Sequence, residues 1–484
     1  MRSNTIKISL TLLVFVFIIF AGPTMAAEYS FGQWAIDTAL PITATKADAE
    51  QQGINSLAGL TDYTALVELL LKKNQLTSIE PGDFTGLNNL KTLDLNSNQI
   101  SSIEQGDFTG LDNLQSLYLN YNQIGSIEPG DFTGLNNLQR LYVPGNQISS
   151  VEQGDFTGLN NLTTLHLGSN QISSIEPFNF AGLNNLQGLY MTQNQISSIE
   201  PGDFIGLSNL QSLGLSFNQI SSIEPDDFTG LDNLTGLNLN QNQLSSIEPD
   251  DFTGLDNLKS LHMSGNQIGS VESDDFTGLG NLTYLYIGNN LICSIESGTF
   301  TDMRILRELG LYNNPLTQLN LSGAQLRDLE HFDIDDTGIT AVDLSDCELS
   351  QKAFNSLMYN SWSYYVGIAE LAGIVGLDFS GADLSRVLDF SKMYAMADLE
   401  CLNITGTIFS DDIISANYVE VLDLIDALEL NNLGILTIDN ILYGSQQSYF
   451  DTWDACVGNT LTIIPEPGTL FLLGLGALLI GRRK

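Results

Sequence analysis

The chain has 484 residues, 43% of them hydrophobic, which is ample for a buried core. It carries 17 Lys and Arg against 57 Asp and Glu, a formal net charge of −40. So acidic a surface repels nucleic acid and anionic lipid, argues against both as partners, and favours solubility, cations and cationic partners.

At the start, Arg2 and Lys7 precede an apolar run from Ile8 to Phe20, and small residues follow at Ala26 and Ala27. This reads as a secretory signal over residues 1–26. The run is too short to span a bilayer comfortably. Residues 27–65 have no regular pattern and are expected to form an N-terminal cap, because the end of a stacked array exposes core leucines. Within it, the segment from Ala47 to Leu66 is expected to supply a helix and a turn.

From Leu66 a 24-residue unit recurs eleven times, over residues 66–316. The copy from Leu90 to Asn113 reads LKTLDLNSNQISSIEQGDFTGLDN. Leu93 and Leu95 alternate with Thr92, Asp94 and Asn96, so each unit gives one short strand with its leucines on one side. Ile103, Phe108 and Leu111 close the core from the far side, and the Phe recurs from Phe84 to Phe300. One unit cannot bury these side chains alone. Stacked, each contributes about 1.5–3 kcal/mol against the entropy of ordering. Asn98 is the polar exception and recurs from Asn74 to Asn314. A buried amide must find partners. Two donors and an acceptor oxygen suit it to backbone groups where the chain leaves the strand, as a structural ladder.

A fixed period with the pattern LxxLxLxxNxIxxIxxxxFxxLxx resembles the bacterial extracellular leucine-rich repeat proteins. The resemblance implies an α/β solenoid: a leucine-rich repeat horseshoe with a parallel concave β-sheet and a mostly irregular or short-helical convex side. Such horseshoes usually bind on the concave face.

Residues 317–460 keep a strand signature at irregular spacing, in LNLSGAQL, FDIDDTGI, VDLSDCEL, LDFSGADL and LNITGTIF. They read as degenerate repeats and a C-terminal cap, with a separate small domain as the alternative. Lys352 to Ile374 has a helical pattern. The cysteines are Cys293, Cys347, Cys401 and Cys456. Export permits pairing, and four cysteines allow three connectivities. Cys347 falls where the ladder Asn would stand and is expected as a free buried thiol.

The other end, residues 461–484, carries Pro465, Glu466 and Pro467, then an apolar stretch from Leu470 to Ile480, then Arg482, Arg483 and Lys484. The combination resembles the PEP-CTERM sorting tail of Gram-negative bacteria. The resemblance implies a sorting signal at Pro465, Glu466 and Pro467. It implies recognition by an exosortase and removal of the tail after export. It also implies association with exopolysaccharide and biofilm. The short apolar stretch suits a transient inner-membrane anchor, with its basic end on the cytoplasmic side. An ordinary C-terminal anchor is the alternative.

Candidate functional residues lie on the strands. The residue between the two inward apolar positions runs Leu70, Asp94, Tyr118, Tyr142, His166, Tyr190, Gly214, Asn238, His262, Tyr286 and Gly310. Neighbouring columns add Tyr121, Phe217, Tyr284 and Tyr312. Amphipathic aromatics make good contact surfaces for proteins and for sugar faces. Tyrosine also suits strands and packs on its neighbours. Tyr118, Tyr142, His166, Tyr190, His262 and Tyr286 are therefore the candidate ligand-binding residues. His166 and His262 stand four strands apart, about 19 Å at ~4.8 Å per strand, too far to share a metal. No catalytic motif is found, so an enzyme is not expected. Acids recur in the loops after the ladder, from Glu80 and Asp83 to Glu272, Asp274 and Asp275. They could hold Ca²⁺, but no EF-hand-like spacing exists, and no cofactor is expected. The bland reading is a solvated face with some acids capping turns.

Together these features lead to an exported, non-enzymatic binding protein. Its concave face would take a protein or polysaccharide at the cell surface or in an exopolysaccharide matrix. The alternative is an acidic structural matrix protein bridged by divalent cations.

Overall fold

The computed structural model describes residues 29–358, 376–386, 399, 401–403, 408–409, 435–439 and 460–464. The signal, the sorting tail, Cys456 and most of the Lys352–Ile374 segment lie outside them. Among the described residues the main sheet has 13 parallel strands. They begin with Lys46–Asp48 and Glu68–Leu70, advance one per repeat through Glu308–Gly310, and end at His331–Asp333. The register is exact from repeat to repeat, so Tyr118 stands beside Tyr142 and Leu117 beside Leu141. Leu93, Leu95, Phe108 and Leu111 are fully buried, as are their counterparts along the array.

The ladder asparagines stitch the turns together. Asn98 donates from Nδ2 to the carbonyls of Leu71 and Leu95, at 3.0 and 2.9 Å. Its Oδ1 accepts from the Leu76 amide at 3.1 Å. Each such side chain thus satisfies backbone groups in successive turns. A second amide row, which the sequence reading overlooked, runs along the outer side. Asn113 donates to the Asn88 carbonyl at 2.8 Å, and the pattern repeats to Asn281 and Asp256.

The convex side is a chain of tight turns rather than helix. In one copy Asp107, Thr109, Leu111 and Leu114 each donate to the carbonyl three residues back. Gly110 sits among them at φ +95°, where an added β-carbon would lie 2.7 Å from the Phe84 carbonyl oxygen. The Phe rings stack along this side, Phe84 on Phe108 at 6.4 Å and Phe108 on Phe132 at 6.2 Å. Strands in a sheet are only about 4.8 Å apart. The wider convex spacing makes each repeat a wedge, and this curves the sheet into a horseshoe.

At the N-terminal end the segment Ala47–Leu66 forms only a three-residue 3-10 helix, Leu60–Asp62, in place of the expected helix. The α-helix is earlier, at Phe31–Asp37, capped by Ser30, whose Oγ accepts from the Gln33 amide. Phe31, Trp34 and Ala35 are its buried face, and Phe31 meets Tyr63 edge-on at 5.5 Å. Ala47 instead lies in the first strand, paired with Leu69. A three-residue strand is too short to show a periodicity.

Beyond residue 316 the chain keeps coiling, but its strands change sides. Among the five signatures, only the second contributes to the main sheet, through His331–Asp333. Gln318–Asn320, Ala341–Asp343, Gly376–Asp378, Cys401–Asn403, Ile435–Asp439 and Thr460–Ile464 form a separate six-stranded parallel sheet. It continues the line of the two-residue strands Ser270–Val271 and Ser294–Ile295. The cause is local: Leu319 and Leu321 alternate at the position where earlier repeats turn. A three-stranded sheet of Glu348–Ser350, Asp383–Arg386 and Ile408–Phe409 lines the next side. The helix Gln351–Met358 overlaps the start of the stretch expected to be helical. Cys347 is free and fully buried, and its thiol donates to the Leu321 carbonyl, much as a ladder amide would. Burial pushes its pKa up to about 12, so it stays a thiol. Cys293 and Cys401 are free and exposed.

Candidate functional site on the concave face

Because strand residues alternate, burying Leu117 and Leu119 turns Tyr118 outward onto the concave face. Parallel pairing in register then brings every member of that column beside the next. Tyr118 and Tyr142 stack at 5.0 Å between ring centroids, with 16° between planes. Tyr142 meets His166 at 6.0 Å, and His166 meets Tyr190 at 5.6 Å. Gly214 and Asn238 interrupt the column. It resumes with His262 on Tyr286 at 4.8 Å. The six candidates are therefore not one surface but two: a four-ring stack and a two-ring stack. Between them lies a trough of about 220 Å³ bounded by Tyr190, Gly214, Asn238 and His262.

All six side chains are half-buried. Burial lowers the pKa of both histidines; for His262 the charge on Glu308 opposes this. Both are thus neutral at pH 7 and present flat, uncharged rings. The His166 Nδ1 accepts from the Gly168 amide at 3.2 Å, and His262 Nε2 pairs with the Ser260 hydroxyl at 2.7 Å. These bonds fix the ring orientations. Registry through Tyr190, Gly214 and Asn238 puts four strand steps between the histidines. They share no site.

Sequence reasoning passed over the glycines in this surface. Gly214 leaves room for the Tyr190 ring, since an added β-carbon there would come within 3.1 Å of its Cδ1. Gly310 does the same for Tyr286, at 3.0 Å. The rings can lie along the sheet because the next strand has no side chain there. The signal was present in the column itself, where a Gly follows Tyr190 and Tyr286.

Tyr121 and Phe217 flank the column at 65% and 51% exposure. Both take left-handed backbone, φ +55° and +56°. That conformation belongs to the fold, since Ser97 and Gln193 adopt it at the same repeat position. Placing an exposed aromatic there does not follow from the fold.

The acidic loops divide in two. Asp226, Asp250 and Asp274 are exposed, whereas Asp227, Asp251 and Asp275 are buried. The buried row runs through Asp107, Asp131, Asp155 and Asp203 and holds the acids that cap turns, while the exposed row is the solvated face. Each closes a turn, as Asp107 does by accepting from the Glu104 amide at 2.8 Å. No group of three or more candidate ligands that could hold a metal occurs among the described residues.

This geometry defines a leucine-rich repeat solenoid, a class of typically non-enzymatic scaffolds whose fold is common among protein-binding domains. Leucine rich repeat models match residues 64–124, 112–172, 160–220, 208–268, 265–316 and 280–339. The chain belongs to the leucine rich repeat family. A PEP-CTERM protein-sorting motif matches residues 464–484, which marks an exported protein of the cell envelope. No curated protein matches the sequence. A leucine-rich repeat protein of Leptospira interrogans is similar in fold, with TM-score 0.55 at 22% identity over 83% of this chain and 98% of that one. TLR13, from a TLR13–ssRNA13 complex, has TM-score 0.52 at 24% identity, over 76% of this chain and 54% of that one. An internalin of Listeria monocytogenes scores 0.45 at 20% identity, over 75% and 87% of the two chains. No helix among the described residues is long and apolar enough to cross a membrane.

Proposed function

We propose that this chain is an exported, non-enzymatic binding protein that captures a protein ligand on its concave aromatic face at the cell envelope. The observation that carries this is the continuous stack Tyr118–Tyr142–His166–Tyr190, half-buried and uncharged on an otherwise acidic molecule. Rigid aromatics in register offer a large contact area at low entropic cost, which is what interface anchors require. The two-ring stack at His262 and Tyr286 provides a second anchor across the trough. The sorting tail at Pro465, Glu466 and Pro467 supplies exosortase processing and a transient membrane anchorage.

The test is capture of surface proteins and glycans by the mature chain and by a variant with Tyr118→Ala, Tyr142→Ala and Tyr190→Ala. Reproducible protein capture that the triple variant loses supports the reading. Capture of glycans alone would reassign the ligand to matrix polysaccharide. Capture by neither, or capture indifferent to the tyrosines, overturns it.

The exposed acid row at Asp226, Asp250 and Asp274 favours a second reading, a structural matrix protein bridged by divalent cations. Under that reading matrix attachment would survive the tyrosine changes and be lost in chelator.

A further inference from the structure

At the C-terminal end of the main sheet a recess of about 350 Å³ opens on the concave face. Two aromatic rings and four acidic side chains line it. Tyr286 and Tyr312 are the rings; Glu308, Asp333, Asp335 and Asp336 are the acids. The rings are held down by bare glycines. A β-carbon on Gly288 would collide with the Tyr312 ring, and one on Gly310 would press on Tyr286. The Tyr286 hydroxyl donates to Glu308 Oε2, which ties one ring to one acid.

Asp333 is the informative group. Its side chain lines the recess, yet the residue is only 9% exposed. One oxygen, Oδ1, accepts from the Asp335 amide at 3.2 Å. The other has no hydrogen-bond donor among the described residues. That oxygen is left to accept from a group that enters the recess, which Asp333 lines. Among the described residues that line the recess, His331, opposite Glu308 in the register, is the one able to carry positive charge. An ammonium or guanidinium group would meet what it prefers here, aromatic rings together with carboxylate oxygens. A chelated metal would gain nothing from the rings.

We propose that this recess is a socket for a cationic side chain, lysine or arginine, projecting from a basic protein partner. The proposal deepens the binding function above and rests on it for the nature of the partner. The chemistry of the socket is independent of the four-ring stack. Charge complementarity favours the same occupant, since a chain of net charge −40 steers basic segments towards itself.

The test titrates the mature chain with Nα-acetyl-lysine amide and Nα-acetyl-arginine amide, followed by NMR. Nα-acetyl-norleucine amide, which has the stem without the charge, is the control. The charged amides should bind and norleucine amide should not. Asp333→Asn, which preserves shape, should weaken binding roughly tenfold or more, the loss of one charge-assisted hydrogen bond. Tyr312→Ala should weaken it too. Unchanged melting temperatures would show that both variants fold. Should either unfold, displacement of the bound amide from the unaltered chain by a poly-lysine peptide, and not by poly-glutamate, replaces it. Equal binding of norleucine amide, no binding of any amide, or Ca²⁺ binding without amine binding overturns the proposal. The triple tyrosine variant should bind the amides normally. The socket and the stack can therefore fail separately.

Discussion

Asn in every repeat and Asp in most recur at fixed places, and both are buried, but for different reasons. Asn170 donates to the carbonyls of Val143 and Leu167 and accepts from the Ile148 amide. Replacing it with Ala strands three backbone groups, so Asn170→Ala should cost about 2–4 kcal/mol in urea unfolding. Asp203 accepts only one bond, from the Glu200 amide at 2.9 Å, and its other oxygen is buried without a partner. Burial raises its pKa to about 6, as it does for Asp107, Asp155, Asp227, Asp251 and Asp275. An unfolded Asp titrates near about 3.9. Between those two values the folded chain holds protons that the unfolded chain has lost. Stability should therefore rise as the pH falls from about 6 towards about 4, and be lower above about 6. Asn179 occupies the same position and accepts from the Glu176 amide at 2.7 Å, so an amide fits. Asp203→Asn should raise the melting temperature at pH 7, and the gain should vanish near about pH 4. A melting temperature that falls steadily on acidification through this window would refute the assignment. The ladder Asn was legible because a lone amide among leucines must be bonded. The buried Asp was not, because in sequence it is one acid among several, and only the turn geometry separates Asp227 from Asp226.

At the scale of the repeat, each element contacts mainly its neighbours, and the register passes from strand to strand without slippage. Deleting residues 210–233, one complete unit, should leave the circular dichroism spectrum and a cooperative transition intact. Deleting half a unit should not, since Leu and Phe would then meet the wrong side of the next turn. The full deletion also removes Gly214 and shifts the two aromatic stacks one strand closer. A ligand that bridges both stacks should lose affinity, and so should one that needs Tyr190, because Asn238 replaces Gly214 beside that ring; one that sits on Tyr118 and Tyr142 alone should not. A binding assay on this variant therefore maps the footprint. The N-terminal helix and the migrating C-terminal sheet were hard to read at this scale. A seven-residue helix and three-residue strands are shorter than the windows over which periodicity becomes visible. The alternation at Leu319 and Leu321 could be seen, but not which side of the coil it would line.

Over the whole molecule, the charge is long-ranged and the core is not. The exposed acids of successive loops stand in rows, and salt screens them, with a Debye length of about 10 Å at 0.1 M. The melting temperature should climb between about 0.01 and 0.15 M NaCl and then level off. A flat response would mean that the rows are already too far apart to interact. Curvature is also a property of the whole, arising from strands packed closer than the Phe rings behind them. By itself the sequence determined the repeat, the inward leucines, the Asn ladder and the column that faces out, because each follows from chain geometry and a period. Only the tertiary structure decided that the column breaks into two stacks, and that glycines let the rings lie down. It alone showed that one aspartate in each of most convex turns is interior and that a carboxylate recess closes the sheet. Those features depend on what stands across from a residue on the next turn, about 24 positions away, and on distances that no linear pattern records.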